Sequence, residues 1–315
     1  MFAPLVVWLR EQRIDYRENA AIGPLLYFKI GGKVSLLVVC ASPAQMAACL
    51  QKIIADGIPY LVIGGGSNIA FTDGLTRAVV LVYQGSAKKT NAARLREPQS
   101  VLVDGGVKNR IFLSWCGLHG VGGLEFLSGI PGTLGGAAAV NAGAFGHSLA
   151  DVLLGADIVD GRGDMVAVDA GYFAFRYRDS CFKFGNEVIL SLRLKFQEQE
   201  AAVVSKKVKE NMDYRVARHP SYRYPSAGCF FKNPLVAGDK RSAGKIIEEC
   251  GLKNLAVGGL SVAAEHGNFL LNRGGNASFD DLLRLENEIK AAVAARTGIE
   301  LEREVIYVSA AGKKY

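Results

Sequence analysis

Three consecutive glycines, Gly64-Gly65-Gly66, follow the short apolar run Tyr60-Leu61-Val62-Ile63 and lead into Ser67-Asn68. Three residues without side chains, placed directly after a strand, let the backbone approach a bulky anion. Their N–H groups can form a cradle, to which Ser67 and Asn68 add donors. A Rossmann turn or a Walker loop would open a helix at this point. Here "IAFTDGLTRAVVLV" reads instead as a strand, an Asp73-Gly74 turn and a second strand, which argues against both motifs. A tight turn between strands would need only one or two glycines, so a phosphate cradle of another kind is favoured.

A second small-residue stretch, "GIPGTLGGAAAVNAGAFG", runs from Gly129 to Gly146. Alone it would read best as a close-packed Gly/Ala helix. Paired with the first loop, it points to a large dinucleotide lying against exposed backbone. The rest of the chain fits a globular protein. Its 315 residues are half hydrophobic, enough for two or three domains of about 100–150 residues. The net charge of +7 is spread along the chain, and Lys206-Lys207-Val208-Lys209 is too short for a nucleic-acid arm. No nucleic-acid partner is expected. Pockets for anionic small molecules are.

Six widely spaced cysteines contain no C-x-x-C pair, so no metal site is expected and a reduced, cytoplasmic protein is. Leu5-Val6-Val7-Trp8-Leu9 is far shorter than the roughly 20 residues of a membrane span. It reads as the face of a short helix, with no export or membrane signal.

Residues 34–40 have strand character. Ser42, Pro43 and Gln45 then open a helix that Gly57 closes, and 60–63 give the next strand. Short strands are expected at 79–83, 101–104, 166–168 and 187–195, and a helix at 200–211. Ser278 to Asp281 form a capping box ahead of a helix whose Leu282, Leu285, Ile289 and Val293 share one face and which stops at Gly298. "LEREVIYV" is expected as a final strand. The class is α+β with mixed sheets.

Within "YPSAGCFFKNP", the turn Ser226-Ala227-Gly228 delivers Cys229 beside Phe230 and Phe231. From residue type alone the thiol is a core filler, a nucleophile, a metal ligand or a proton donor.

Taken in order, "IGGGSN", "SGIPGTLGGAAAVNAGAFG", "YRDS", "PSAGCFFKNP" and "LEREV" resemble the UDP-N-acetylenolpyruvoylglucosamine reductase (MurB) family, over about Asn19 to Val308. The short spacing from Arg178 to Cys229 matches that family's shorter subgroup. The resemblance implies a two-part FAD-binding domain of the vanillyl-alcohol-oxidase (PCMH) type, followed by a smaller α+β substrate-binding domain. The expected limits are an N-terminal segment 1–22, an FAD domain 23–197 with subdomains of about 23–75 and 76–197, and a C-terminal domain 198–315.

The implied activity is reduction of UDP-N-acetylglucosamine enolpyruvate to UDP-N-acetylmuramate in peptidoglycan synthesis, with FAD as cofactor and NADPH as hydride donor. A monomer or weak homo-oligomer is expected. The resemblance assigns Gly64, Gly65, Gly66, Ser67 and Asn68 to the FAD pyrophosphate. It also gives the cofactor Gly129, Ile130, Pro131, Gly132, Gly135, Gly136, Asn141, Ala142, Gly143 and Gly146. Arg178, Cys229 and Glu304 match the catalytic positions, with Cys229 standing where the family usually has serine. Tyr177, Lys232, Asn233 and His266 are implied on the substrate side.

These residue types suit the chemistry. An arginine can pair with the enolpyruvyl carboxylate as a planar fork. A thiol, ordinarily with a pKa of about 8.5, is a stronger acid than an alcohol and can protonate the carbon. The rivals are another FAD-dependent oxidoreductase of the same fold group and a non-catalytic nucleotide-binding protein. The first would commonly attach flavin through His or Cys near the first loop, where "GGGSNIAFTDG" has neither. The second has no reason to combine Arg178, Cys229 and Glu304.

Overall fold

The computed structural model describes residues 2–84, 93–94 and 99–315. By packing, the chain divides into two compact units. Unit 1 comprises residues 1–18, 36–65 and 78–215, and unit 2 comprises residues 19–35, 66–77 and 216–315. The division falls between Gly65 and Gly66, inside the first glycine cluster.

In unit 1, the strand order is Met165–Asp169, Leu153–Val159, Val188–Lys195, Ser100–Asp104 and Ala93–Arg94, antiparallel throughout. Leu192 and Leu194 of its middle strand are fully buried among Phe112, Leu134 and Phe173. A second core gathers Leu5, Leu9, Leu36, Val38, Leu50 and Ile53. There the helix Pro43–Ala55 buries Met46, Ala47, Cys49, Leu50 and Ile53, the stripe expected of an amphipathic helix. Its start is local chemistry. Ser42 Oγ accepts from Gln45 N at 3.2 Å, and Gln45 Oε1 accepts from Ala41 N at 2.9 Å. The strand Tyr60–Ile63 lies parallel to 79–82 and ends at Gly64.

Two elements of unit 1 go beyond the sequence expectation. The helix Asn109–His119 buries Asn109, Phe112, Leu113, Cys116 and Gly117, a helical spacing, but Lys108 at its N-cap makes no side-chain capping bond. The periodicity was present and the start signal was not. The strand Leu153–Val159 carries Gly155 and two register shifts against 188–195, which interrupt the strand pattern.

In unit 2, the helix Phe279–Thr297 begins with the capping box of Ser278 and Asp281 and ends at Gly298 in the left-handed conformation. Asp73 adds a cap: both its carboxylate oxygens accept from Phe279 N at 2.9 Å. Leu282, Leu285, Ile289 and Val293 are fully buried, together with Phe28, Phe230, Phe231 and Tyr307. The strand Ile69–Phe71 takes a distant partner, Ile306–Val308, in parallel. The expected strand over all of "LEREVIYV" is therefore shorter. Only Ile306–Val308 is a strand, because its ladder ends where Ile69–Phe71 ends, and Arg303 instead makes an isolated bridge to Phe231.

Candidate active site

The expected site residues fall into two groups, one in each unit. In unit 1, the Gly64–Gly65 turn lies directly against the second glycine stretch. A Cβ on Gly65 would sit 2.5 Å from Gly132 Cα, and one on Gly64 would sit 2.3 Å from Thr133 Oγ1. Gly65 meets Gly132 backbone on backbone, and Gly64 leaves room for the Thr133 hydroxyl. Gly64, Gly65, Gly129, Ile130, Pro131 and Gly132 all remain partly exposed. Four glycines with Ile130 and Pro131 thus make up partly exposed chain without a carboxylate, and that fits a large anionic dinucleotide.

The stretch is not a loop throughout. Leu134–Ala139 is a short helix capped by Thr133, so the Gly/Ala helix reading holds for these residues. Its first N–H groups are used inside the fold: Leu134 donates to Val107 O, Gly135 to Gly105 O at 2.7 Å, and Gly136 to Thr133 Oγ1. This helix start is therefore unlike a Rossmann phosphate site. Gly135 is buried against Gly105 O and Ile189 O, and Gly136 is exposed. Farther along, Gly143 packs on His147 O, whereas Gly146 faces open space. Ala142 is buried, and its N–H donates to Ala137 O at 2.8 Å.

Asn141 ties this stretch to the arginine. Its Nδ2 donates to Arg176 O at 2.9 Å, and its Oδ1 accepts from Ala150 N at 3.0 Å. Arg176 and Asp179 exchange both backbone bonds, N–H to O at 3.0 and 3.2 Å, so Tyr177 and Arg178 are the corner of a tight turn. Arg178 occupies that corner with φ of +56°, a conformation ordinarily left to glycine or asparagine. Tyr177 is exposed, with the guanidinium 5.7 Å from its ring centre. Lys183 Nζ donates to Arg178 O, and Ser180 Oγ donates to Ala139 O.

Asn109 was missed from the sequence. It is buried, its N–H donates to Gly132 O at 3.1 Å, and its Nδ2 donates to Ile130 O at 3.1 Å. It holds two peptide units of the second glycine stretch. Only the helical spacing of Asn109, Phe112 and Cys116 hinted at an inward-facing asparagine.

In unit 2, Cys229, Lys232 and Glu304 lie on adjoining backbone segments. Glu304 N donates to Phe230 O at 2.8 Å, and Lys232 N donates to Glu302 O at 2.8 Å. On its other side the 229–231 segment meets 268–269. Phe230 N donates to Asn268 O at 2.8 Å, and Cys229 bridges Phe269. Cys229 is half-buried and, like Tyr224, packs against the cluster of Ala263, Phe269 and Leu271. Asn68 joins this group: its Nδ2 donates to Glu304 O at 3.3 Å and its O accepts from Ile306 N. Gly66 O accepts from Tyr27 N at 3.0 Å, and Ser67 is half-buried between Gly66 and Asn68.

The remaining substrate-side candidates also have partners here. Lys232 Nζ pairs with Glu302 at 2.5 Å. Asn233 Oδ1 accepts from Ala243 N at the start of the helix Ala243–Glu249. His266 lies over Gly244, and its Nδ1 accepts from Asn268 N at 3.1 Å. Burial pushes its pKa below the ordinary imidazole value, with Glu248 opposing.

Comparison with known proteins settles the lineage. The family described as UDP-N-acetylenolpyruvoylglucosamine reductase, C-terminal domain, matches residues 219–308, and an FAD binding domain matches 34–169. A reductase of that name from Geobacter metallireducens is 36% identical over 88% of this chain and 88% of its own. Another from Geotalea uraniireducens is 34% identical over 93% of this chain and 94% of its own.

The chain belongs to the UDP-N-acetylenolpyruvoylglucosamine reductase family.

A crystal structure of the reductase from Thermus caldophilus covers 94% of this chain and 98% of its own, with a TM-score of 0.75 at 27% identity. The α+β class, with an FAD-binding domain ahead of a C-terminal domain, holds for this member of the family. Among the described residues, no helix is long and apolar enough to cross a membrane.

Proposed function

We propose that this chain uses NADPH and FAD to reduce UDP-N-acetylglucosamine enolpyruvate to UDP-N-acetylmuramate in peptidoglycan precursor synthesis, in the cytoplasm. The family membership supports the activity. The observation that carries the residue assignment is the pairing of Glu304 N with Phe230 O at 2.8 Å, which holds the glutamate beside the cysteine segment. The functional division into 1–22, 23–197 and 198–315 is part of the same proposal.

FAD, when bound, supplies hydride chemistry between NADPH and the enolpyruvyl double bond. Gly64 to Asn68 and the Gly129–Gly146 stretch are the residues that would hold it, through their exposed backbone and the Ser67 and Asn68 side chains, while the N–H groups of Leu134, Gly135, Gly136 and Ala142 bond within the fold. Arg178 pairs with the enolpyruvyl carboxylate and stabilises the negative charge that develops on it. Cys229 gives its thiol proton to the carbon bearing that carboxylate, and solvent reprotonates the thiolate. Glu304 hydrogen-bonds the same reacting group. Lys232, Asn233, Tyr177 and His266 bind the sugar nucleotide, Lys232 by exchanging Glu302 for a substrate anion.

The purified protein should be yellow and bleached by NADPH. NADPH oxidation should speed up on addition of UDP-N-acetylglucosamine enolpyruvate, with UDP-N-acetylmuramate as product. A protein that takes up no FAD, or whose NADPH oxidation ignores this substrate, would overturn the assignment.

A further inference from the structure

Asn268 makes more contact with the Cys229 segment than any ladder does. The residues around Cys229 form isolated bridges, without a regular strand on either side. A short segment of this kind has few peptide bonds to define its place. Gly228, just before the thiol, has φ of +80° and open space where a side chain would be, and its N–H donates to Ser226 Oγ within the same turn at 3.4 Å.

The asparagine supplies what the ladder lacks. Its Oδ1 accepts from Phe231 N at 2.8 Å, and its Nδ2 donates to Phe231 O at 2.8 Å. The side-chain amide thus acts as an extra peptide unit. The backbone O of Asn268 accepts from Phe230 N, also at 2.8 Å. Three bonds therefore reach the two residues after Cys229. Asn268 is itself buried, and its N–H is anchored on His266 Nδ1 at 3.1 Å. A buried amide held in this way has one orientation, because turning it over would put donor against donor at Phe231 N and acceptor against acceptor at Phe231 O.

Phe230 connects the clamp to the reaction. Its N–H is taken by Asn268 and its carbonyl by Glu304 N. These two groups belong to successive peptide units joined at Phe230 Cα, so Asn268 and Glu304 hold adjoining units of the short segment that begins at Cys229.

We infer that Asn268 is a positioning residue, which sets the place and surroundings of the Cys229 thiol through the Phe230-Phe231 backbone. This inference rests on the proton-donor role proposed for Cys229. A misplacement of about 1 Å can lower a rate on the order of 10²-fold.

The test uses the FAD-loaded full chain carrying Asn268→Asp or Asn268→Ala. The aspartate keeps the shape and the acceptor for Phe231 N but loses the donor to Phe231 O, and it serves if the alanine variant does not fold. Two measurements are made well below the melting temperature. One is the kcat and KM for substrate reduction. The other is the pH dependence of iodoacetamide alkylation at Cys229, read peptide by peptide so that exposed Cys181 does not interfere, and requiring no turnover. The expected result is a fall in kcat on the order of 10- to 100-fold with little change in KM, unchanged flavin content, and a displaced alkylation profile. An alkylation profile identical to wild type in the folded variants overturns the inference, whatever happens to kcat. Failure of the donor role is distinguishable: Cys229→Ala would then keep wild-type turnover while the alkylation profile still reports on Asn268.

Discussion

Asn141 donates from its side-chain amide to the carbonyl of Arg176 at 2.9 Å, and thereby fastens the turn that carries Arg178 to the second glycine stretch. The same asparagine has φ of +45°, and Arg178, two residues beyond the carbonyl it holds, has φ of +56°, so left-handed residues other than glycine lie at one end of this link and beside the other. Unfavourable backbone is retained here where the identity of the side chain matters.

Arg178→Gly should make the protein more stable and inactive. Glycine takes a φ of +56° without the steric cost, worth about 1 kcal/mol for an L-residue. Equilibrium denaturation should show the gain, and substrate turnover should be lost. Arg178→Lys keeps the charge but not the planar fork, so flavin reoxidation by substrate should slow on the order of 10²-fold or more. Equal reoxidation in wild type and the lysine variant would end the catalytic assignment.

Gly65 and Gly146 should respond oppositely to alanine. At Gly65 the new Cβ would lie 2.5 Å from Gly132 Cα, backbone on backbone, so the loops must part and bound FAD should be lost. At Gly146 the Cβ enters open space, and only the left-handed φ of +81° penalises it, by about 1–2 kcal/mol. Flavin absorbance after gel filtration distinguishes them. Full flavin in Gly65→Ala, with unchanged affinity, would remove these loops from the cofactor site.

Cys229→Ala should leave flavin binding and reduction by NADPH nearly intact while substrate reduction stalls. Cys229→Ser should keep substantial activity, because a hydroxyl offers a proton from the same turn. An activity loss at high pH in the cysteine enzyme should move or vanish in the serine variant, since serine does not ionise there. Stopped-flow half-reactions and a pH profile check both. Wild-type turnover by the alanine variant would make Cys229 a filler.

Acidification below neutral pH should cost stability through His266. Burial lowers its pKa in the folded protein, so the unfolded chain binds more protons in the window beneath the ordinary imidazole value of about 6.5. Stability contributed by the neutral ring is complete above that value and is lost as pH falls through the folded pKa. His266→Gln should flatten this part of the stability–pH curve. Denaturation at a series of pH values with the same slope in both proteins would contradict it.

Interactions a few residues apart were legible as sequence. Ser42 with Gln45, Ser278 with Asp281, and Gly298 after its helix all satisfy backbone groups within one turn, so spacing and residue type suffice to place them. The two glycine stretches were legible for the same reason, since residues without side chains limit what a backbone can approach. Their mutual contact was not. Gly65 meets Gly132, Asn68 meets Glu304, and Asn268 meets Phe231 across long stretches of chain. Such pairings leave no local periodicity, because each forms only after separate hydrophobic faces have been buried. The same holds for Asn109, whose amide reads as an ordinary inward helix position until Ile130 O is brought against it. The left-handed Arg178 belongs there too: nothing in Tyr177-Arg178-Asp179 announces it, and the surrounding bonds from Asn141 and Lys183 impose it. Local chemistry chose the elements and supplied the reactive groups. Non-local hydrogen bonding decided where those groups stand.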